Sequence, residues 1–354
     1  MFEYVAGDGA EEFDRYVRKS PGGHFMQTSA WGRVKSDWEW TGILLRGEDG
    51  SILGTIALLF RKGRRSGATL VYAPRGPVWP RERPEILEKL LSEAVRFAKG
   101  KGAYLLRVDP DVEEGDRPFL ALMRRLRFKR RVRDDYSLFQ PRLTYESALR
   151  GVSVESLPEC YHRSTRRNLH LAEKSGVKVT RHGEEELPAF MELMRKTAAR
   201  NGFQPREEDY FRRILRAFGP EAGLYAAKIG EKTVAAAIAV HVGERSSFFY
   251  GCSSREGMRL RANEAVIHGA EADAIRAGCG VFDFRGVEGF PVEDNPHFGL
   301  HRFKMGFGAS FRISAGEFDR VLKPVTALLL EIAEGIRRLF RRLRREKPGS
   351  FDGV

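Results

Sequence analysis

The chain contains one structural unit twice, and the two copies keep the same spacing. Tyr72 and Tyr250 lie 178 positions apart, and the same distance separates Gly102 from Gly280. Each copy has two short apolar segments, a stretch with helical periodicity and a third apolar segment. Short apolar runs bounded by turn residues are typical of strands, whereas a period of three to four residues is typical of a helix. The duplication therefore predicts two successive domains, each with the order strand, strand, helix, strand.

The order of elements predicts the fold class. The first copy comprises strands over 54–60, 68–77 and 100–109 and a helix over about 85–98; the second comprises strands over 234–240, 247–254 and 278–284 and a helix over about 263–277. Helical segments precede both copies, at 10–18 and 29–37 and again at 187–199 and 205–218. This order is that of the N-acetyltransferase fold, although a fold alone does not fix a function. We predict an α+β or α/β chain of two tandem acyl-CoA N-acyltransferase-like (GNAT-like) domains, each a mixed sheet flanked by helices.

The predicted boundaries follow from the same pattern. The first domain covers 1–148 and is completed by a C-terminal helix at about 322–346 that packs back on it. The second domain covers 149–321, and residues 348–354 form a disordered tail.

Net charge indicates the class of partner, and cysteine content indicates whether a metal site or disulfides are expected. The chain has 61 Lys and Arg against 48 Asp and Glu, a net charge of +13, which favours a polyanionic partner such as nucleic acid or an anionic membrane. Cys160, Cys252 and Cys279 lack the spacing of metal ligands or of a disulfide framework, and we predict no metal and no other cofactor. We see neither a secretory signal nor a membrane-spanning apolar run, and we therefore predict a cytoplasmic protein.

The loop that binds CoA in the N-acetyltransferase fold is not apparent. That loop holds the pyrophosphate on backbone amides at a helix start, with the pattern Arg/Gln-x-x-Gly-x-Gly/Ala. The corresponding segment 73–80 contains three prolines, which lack amide donors, and segment 253–263 has bulky side chains where glycine is expected. An acyl-CoA-dependent N-acyltransferase is therefore disfavoured but stays an alternative. A second alternative is a noncatalytic module that binds RNA or a membrane.

Several motifs resemble, in their order, those of the FemABX-type aminoacyltransferases, which build peptidoglycan cross-bridges. They lie at 23–27, 31–35, 72–77 and 107–110 in the first half, and at 166–168, 250–254, 282–286, 303–308 and 316–319 in the second. The resemblance covers almost the whole chain. It implies an aminoacyl-tRNA donor and, as acceptor, the side-chain amine of stem-peptide residue 3 in UDP-MurNAc-pentapeptide or lipid II.

The resemblance leaves several points open. The amino acid transferred is Gly, Ala or Ser, and neither acceptor is preferred. Some members carry a long helical arm in the second domain, whereas the segment 206–231 of this chain has room for only one ordinary helix. We expect a monomer, with peripheral contact with the inner membrane face as a further expectation.

The implied reaction is the aminolysis of the tRNA ester. Only about one lysine-like amine in a thousand is neutral at pH 7, so the site must help the amine lose a proton. The oxyanion of the tetrahedral intermediate also needs stabilisation.

Lys304 follows Phe303 and precedes two glycines, a local pattern that by itself predicts a surface lysine in a strand-turn-strand. The resemblance places the catalytic lysine here, beside Phe303, and we predict that Lys304 stabilises the oxyanion. Asp109, at a strand end, is the candidate general base, although Asp-Pro commonly only ends a strand.

Basic and aromatic residues form the candidate acceptor site. Lys35 follows Trp31 by four residues on a predicted helix, so the two share a face. Arg206 and Tyr210 have the same spacing on a helix that Pro205 is predicted to open. A guanidinium matches a diphosphate, and a phenol can donate a hydrogen bond to a phosphate or sugar. With the contacts that the resemblance adds, the predicted substrate-binding residues are Lys35, Arg206, Tyr210, Tyr250 and Arg75.

A basic helix is the candidate site for tRNA. Its cationic residues recur at spacings of three and four, which suits sequence-independent contacts with phosphates. A solvated basic face without a partner is the alternative. The predicted tRNA-binding residues are Arg163, Arg166, Arg167 and Lys174.

The C-terminal helix combines an apolar stripe with a run of arginines. The stripe extends from Leu329 to Leu343, and the arginines lie between 337 and 345. A basic amphipathic helix of this kind can lie on an anionic membrane. The resemblance favours the other interpretation, in which the stripe packs on the first domain.

Overall fold

The computed structural model describes residues 1–63 and 66–343. Its strands are β1 (Phe2–Val5), β2 (Glu39–Arg46), β3 (Ile52–Lys62), β4 (Thr69–Ala73), β5 (Ala103–Val108), β6 (Lys129–Arg131), β7 (Leu143–Ala148), β8 (Lys178–His182), β9 (Ala222–Ile229), β10 (Lys232–Val242), β11 (Arg245–Ser253), β12 (Val281–Gly286), β13 (Ser310–Ile313) and β14 (Glu317–Val321). Its α-helices are α1 (Glu11–Lys19), α2 (Ser29–Val34), α3 (Pro84–Gly100), α4 (Arg117–Arg125), α5 (Arg163–Lys174), α6 (Leu187–Asn201), α7 (Glu208–Phe218), α8 (Arg255–Arg259), α9 (Ala262–Arg276), α10 (Phe298–Met305) and α11 (Pro324–Leu343).

Two seven-stranded sheets confirm the duplicated architecture. The first has the order β1-β2-β3-β4-β5-β14-β6, and the second has the order β13-β7-β12-β11-β10-β9-β8. In each sheet an antiparallel hairpin is followed by a parallel pair, β4 with β5 and β11 with β12. A parallel pair needs a crossover, and the helices α3 and α9 supply it. The predicted unit of strand, strand, helix and strand is therefore present in both halves.

Two strands belong to the sheet opposite to the one that the predicted boundaries assigned. β7 lies within 1–148 but pairs with β12 and β13 of the second sheet. β14 lies within 149–321 but pairs with β5 and β6 of the first sheet. An alternating sequence predicts a strand, but it does not predict which sheet offers that strand an edge. Each half therefore receives one strand from beyond its predicted boundary.

A shared hydrophobic core joins the two domains. Each sheet also has a core of its own. The shared core combines side chains from α2 and its preceding turn with side chains from α6, α7 and β10. Its large members include Phe25, Trp31 and Tyr72 from the first half and Phe190, Phe211 and Phe218 from the second. The two domains thus meet in a packed hydrophobic interface.

The C-terminal helix begins on the first domain, but its apolar stripe is exposed. The backbone amide of Lys323 donates to Tyr104 O, and its ammonium donates to Gly102 O, so α11 starts beside β5. Five apolar side chains on one face are 49–73% exposed, namely Val325, Leu328, Leu329, Ile332 and Ile336. The expectation that this stripe packs on the first domain is thus not met by these residues. The rest of the predicted helix to 346 and the tail 348–354 lie outside the described residues.

No helix within residues 1–63 and 66–343 combines the length and apolarity that crossing a bilayer requires.

Candidate active site

Lys304 lies on helix α10, not on the strand or turn that its sequence context predicted. Phe303 and Phe307 pack edge to face, 5.4 Å between ring centroids, and they anchor the helix end in the core of the second domain. Gly306 follows α10 because a side chain there would meet Thr165 Oγ1 of α5 at 2.4 Å. Gly308, with φ of +72°, lies in the turn that its sequence context suggested, whereas Gly306 permits close helix packing, a role that sequence spacing alone does not distinguish.

The Lys304 ammonium is buried and held by two carbonyl oxygens. Its Nζ donates to Arg285 O at 3.0 Å and to Gly286 O at 2.7 Å. Arg285 has φ of +62°, a left-handed conformation that non-glycine residues seldom adopt. The Asp283 carboxylate stabilises this conformation by accepting the Arg285 amide at 2.7 Å. The end of β12 thus fixes the position of Nζ.

The environment of Lys304 brings its titration close to neutral pH. Burial lowers the pKa of Lys304 to about 7; the nearby Asp283 carboxylate opposes this shift, and the Arg285 guanidinium adds to it. A lysine with this pKa is a mixture of ammonium and amine at neutral pH. Its cationic fraction falls as the pH rises through 7.

His301, in the middle of α10, ties this helix to β7 and to the loop after β12, and sequence reasoning missed it. It is fully buried, and its Nδ1 lies 3.0 Å from the hydroxyl of Tyr145 on β7. Its Nε2 lies 3.2 Å from Glu288 O. The i, i+3 spacing from His301 to Lys304 was visible in the sequence, but the partners on a distant strand and loop were not.

Four of the five predicted substrate-binding residues lie together between the domains. Lys35 directly follows α2, and its Nζ lies 4.9 Å from the Trp31 ring centroid and 5.5 Å from that of Tyr210. The Arg206 guanidinium lies 5.4 Å from the Tyr210 ring centroid. Tyr250 completes the group, with its ring centroid 6.1 Å from that of Tyr210. We call Lys35, Arg206, Tyr210 and Tyr250 the interdomain pocket.

The prediction that Arg206 and Tyr210 share a helix face is wrong. Helix α7 begins at Glu208, and Glu207 before it is extended, with ψ of 151°. Acidic residues 208 and 209 occupy the first turn, where the helix dipole favours them. Arg206 therefore approaches Tyr210 from the preceding segment rather than from the helix surface. Proline occurs both at the first position of a helix and in an extended segment. Pro205 therefore led to a predicted helix start that is too early.

Burial of Lys35 has an energetic cost. Burial lowers the pKa of Lys35 to about 7, with the Arg206 and Arg61 guanidinium groups adding to the shift and Asp37 opposing it. The unfolded chain therefore binds this proton more tightly than the folded chain does. Lys35 destabilises the fold most at and below pH 7, and this penalty declines as the pH rises towards 10.5.

We expect Lys35→Met to raise the free energy of unfolding by about 1–3 kcal/mol at pH 7, because it removes a buried charge. The gain over the wild type should shrink as the pH rises from 7 to 10. Urea unfolding at several pH values measures it. Lys196→Met is the matched control, since this lysine is 57% exposed in its side chain and should change stability by less than about 0.5 kcal/mol. A net loss of stability in Lys35→Met would show that Lys35 serves the fold.

Asp109 is buried with both carboxylate oxygens occupied. The Tyr72 hydroxyl donates to Oδ2 at 2.7 Å, and the Arg75 amide donates to Oδ1 at 2.6 Å. Burial raises the pKa of Asp109, and Arg75 opposes this shift. Asp109 therefore holds the loop after β4, in which Arg75 has φ of +55°. These contacts give Asp109 a positioning role, in addition to its predicted role as general base.

Arg75 lies with a second group of charges rather than in the interdomain pocket. Its guanidinium donates to Pro141 O at 2.9 Å, and it lines a small cavity together with Asp111, Arg245 and Arg312. Of the five predicted substrate-binding residues, it is the one that the structure separates from the others.

A buried ionic cluster crosses the domain interface and reaches the residues around Lys304. Arg245 contacts Asp111 of the first domain at 3.1 Å and Glu146 at 2.6 Å. It also approaches Asp283, the residue that supports the Arg285 turn, at 4.0 Å. Arg312 contacts Glu146 at 2.7 Å. Sequence reasoning missed this cluster because its partners are up to 166 positions apart and no local motif marks them.

The predicted tRNA-binding residues form an exposed basic face next to the helix that carries Lys304. Arg163, Arg166, Arg167 and Lys174 are all exposed on α5. The amide of His162, which precedes α5, donates to Gly306 O at 2.9 Å. The start of this basic helix therefore contacts the end of α10.

Known proteins similar to this chain include peptidoglycan enzymes and tandem acyltransferase folds. A lipid II:glycine glycyltransferase of Staphylococcus saprophyticus is 28% identical, over 92% of this chain and 94% of the relative. One of Staphylococcus aureus is 27% identical, over 91% and 93%. The solved structure of FemX has a TM-score of 0.83 at 26% identity and covers 93% of this chain and 100% of its own. A tandem GNAT protein from the clavulanic acid pathway, 12% identical with a TM-score of 0.53 over 90% of this chain and 98% of its own, shares the fold.

The S. saprophyticus relative contains segments that this chain lacks. Its alignment with this chain extends over 394 positions, more than the 354 residues of this chain. In agreement with the prediction of a single ordinary helix in 206–231, only α7 is an α-helix there.

The family assignment follows from the coverage. The sequence model of the FemAB family matches residues 9–118, 130–233 and 227–335, which include strands of both sheets and every residue of the interdomain pocket and α10. This match extends over well more than half of the chain, and the chain therefore belongs to the FemAB family.

Proposed function

We propose that this protein transfers a glycyl group from glycyl-tRNA to the side-chain amine of stem-peptide residue 3 in lipid II, as a step in forming the peptidoglycan cross-bridge. The observation that carries the proposal is a buried lysine, Lys304, in a chain of the FemAB family that also gathers the cations Lys35 and Arg206 between its domains. The names of the staphylococcal relatives favour glycine and lipid II over the other amino acids and over UDP-MurNAc-pentapeptide.

The interdomain pocket suits the diphosphate that both acceptors contain. Lys35 and Arg206 provide two cations, and Trp31 and Tyr210 form aromatic walls around them. The proximity of Arg206 contributes to the lowered pKa of Lys35. Two cations that repel each other in a largely buried pocket are stabilised when an anion binds between them. We therefore assign the acceptor diphosphate to Lys35 and Arg206.

The exposed face of α5 suits the donor. Its four cations attract a phosphate backbone without reading its sequence. The contact between His162 and Gly306 joins the start of α5 to α10, so a tRNA bound along α5 would lie next to the helix that carries Lys304. An acyl-CoA donor would need neither this face nor its position.

The chemistry assigned to Lys304 is electrostatic. The amine nitrogen of the acceptor attacks the ester carbonyl carbon, and a C–N bond forms while the carbonyl oxygen becomes an oxyanion. The Lys304 ammonium, held by Arg285 O and Gly286 O, stabilises that charge. When the intermediate collapses, the C–O bond to the ribose breaks, and the ribose oxygen takes up a proton equivalent to the one that the amine loses. The overall proton count is therefore balanced without a permanent base.

A matrix of donors and acceptors tests the proposal. Radiolabelled glycyl-, alanyl- and seryl-tRNA and acetyl-CoA are each offered with lipid II and with UDP-MurNAc-pentapeptide, and transfer to the acceptor is measured. We expect glycyl-tRNA with lipid II to give the highest kcat/KM, because the relatives with that activity match both domains. Transfer from acetyl-CoA alone would refute a tRNA donor. Binding of tRNA without transfer from any donor would favour a noncatalytic module.

A further inference from the structure

We infer that the exposed face of α11 is a docking surface for an anionic lipid bilayer. The face consists of Val325, Leu328, Leu329, Ile332 and Ile336, which we call the α11 stripe. Its residues recur at intervals of three and four, so they lie along one side of the helix over about 16 Å. Scattered exposed apolar residues are ordinary, but an aligned set of five that are all half or more exposed is not.

The opposite side of the helix already has its contacts. Thr326, Ala327 and Leu330 are half-buried, and they lie on the other side from Val325 and Leu329. Lys323, which precedes the helix, is attached to Gly102 O and Tyr104 O of the first domain. The less exposed side of α11 thus carries Thr326, Ala327 and Leu330, and the α11 stripe occupies the exposed side.

Charge selects a lipid surface over a second copy of the chain. In the amino-acid sequence, six arginines lie between positions 337 and 345, and the apolar spacing continues at Leu339 and Leu343. A helix with a strong apolar face and neighbouring arginines binds an anionic lipid surface in two ways. The apolar side chains are buried in the bilayer, and the arginines attract the anionic headgroups. Two parallel copies that packed stripe to stripe would bring their arginine runs together, and like charges at such a seam are unfavourable. The chain has a net charge of +13, which further favours an anionic surface.

The position of α11 is compatible with an accessible active site. β14 runs antiparallel to β5, with Phe318 opposite Val108 and Val321 opposite Leu105. The chain therefore leaves the first sheet at the end of β5 opposite to Asp109, about one strand length or 15 Å away. A bilayer bound at the start of the α11 stripe would lie at this end of the sheet, away from Asp109.

Vesicle flotation of the full chain, without tRNA or acceptor, tests the inference independently of the proposed reaction. The probes are phosphatidylcholine vesicles with and without about one third phosphatidylglycerol. We expect the protein to float with the anionic vesicles and not with the neutral ones, and high salt should weaken the binding. Ile332→Glu should lower the partition coefficient at least about tenfold, since it places a charge where the exposed apolar side chain of Ile332 would enter the bilayer.

Met258→Glu is the matched control, because Met258 is 44% exposed at a distant place, on α8, and its exchange should leave flotation unchanged. A Leu329→Trp variant should show a blue shift of its emission with anionic vesicles when compared with the wild type. The inference is overturned if the wild type does not float, or if Ile332→Glu floats as well as the wild type. It is also overturned if sedimentation velocity shows a dimer that Ile332→Glu converts to a monomer, because the stripe would then be a protein interface.

Discussion

Lys304→Met should lower kcat for aminoacyl transfer by about a hundredfold to a thousandfold while leaving tRNA affinity unchanged. The size of the effect is that of removing one preorganised oxyanion donor. Methionine keeps the volume of the side chain but cannot hold charge, and it removes a buried amine whose pKa is about 7. Thermal stability should therefore be equal to or above that of the wild type. The measurements are single-turnover transfer rates, filter binding of tRNA and a thermal melt.

The pH dependence provides a second readout of the same variant. In the wild type, the cationic fraction of Lys304 falls as the pH rises through about 7, so the rate constant of the chemical step should show a falling limb there. This limb should be absent in Lys304→Met. The double variant Arg166→Glu and Arg167→Glu is the converse control, since it should lose tRNA binding and keep a folded protein. If Lys304→Met turns over at a rate near that of the wild type, the oxyanion assignment is refuted.

Arg245→Met should destabilise the protein by about 3–5 kcal/mol, the cost of leaving buried carboxylates without their cation. In the wild type, Arg245 pairs with Asp111 across the domain interface and with Glu146, and it approaches Asp283. The Arg245 and Arg312 guanidinium groups hold the pKa of Asp111 far below its usual range against the effect of burial. Removal of Arg245 should raise the pKa of Asp111. The midpoint of guanidinium unfolding measures the loss.

The sign of the pH effect distinguishes this mechanism from a packing defect. A carboxylate that has lost its cation binds protons more readily, so the destabilisation should be smaller at pH 5 than at pH 8. Arg150→Met provides the comparison, because Arg150 forms an ion pair with Glu244 in which both side chains are 42–70% exposed. Its loss should cost less than about 1 kcal/mol. An equal loss from Arg245→Met at both pH values would indicate that the ionic contacts are not the cause.

The duplicated sequence predicted the sheets because strand pairing within each unit is local. β3, β4 and β5, like β10, β11 and β12, follow one another closely in the chain, and period-two and apolar patterns identify such strands. The sheet memberships of β7 and β14 could not be predicted in the same way, because their partners come from the other half of the chain.

The candidate site shows the same division between local and distant information. Lys35 directly follows the helix that carries Trp31, and the contact between the two side chains followed from their spacing of four. The environment of Lys304 did not follow from spacing, because the carbonyl oxygens that hold it belong to Arg285 and Gly286, 19 and 18 positions away. Arg245 was missed for the same reason, since none of its partners lies close to it in the sequence.

The exchange of β7 and β14 between the sheets has a consequence for how the protein is made. β14 lies between β5 and β6 in the first sheet, and its last residue is Val321. During synthesis, β5 therefore keeps an open edge until residue 321 has left the ribosome, more than 200 residues after β5 itself. Open strand edges promote association with other chains. The first domain would therefore be most prone to aggregation while the chain is still being synthesised. A chaperone that covers the edge of β5 would act before the chain is released from the ribosome.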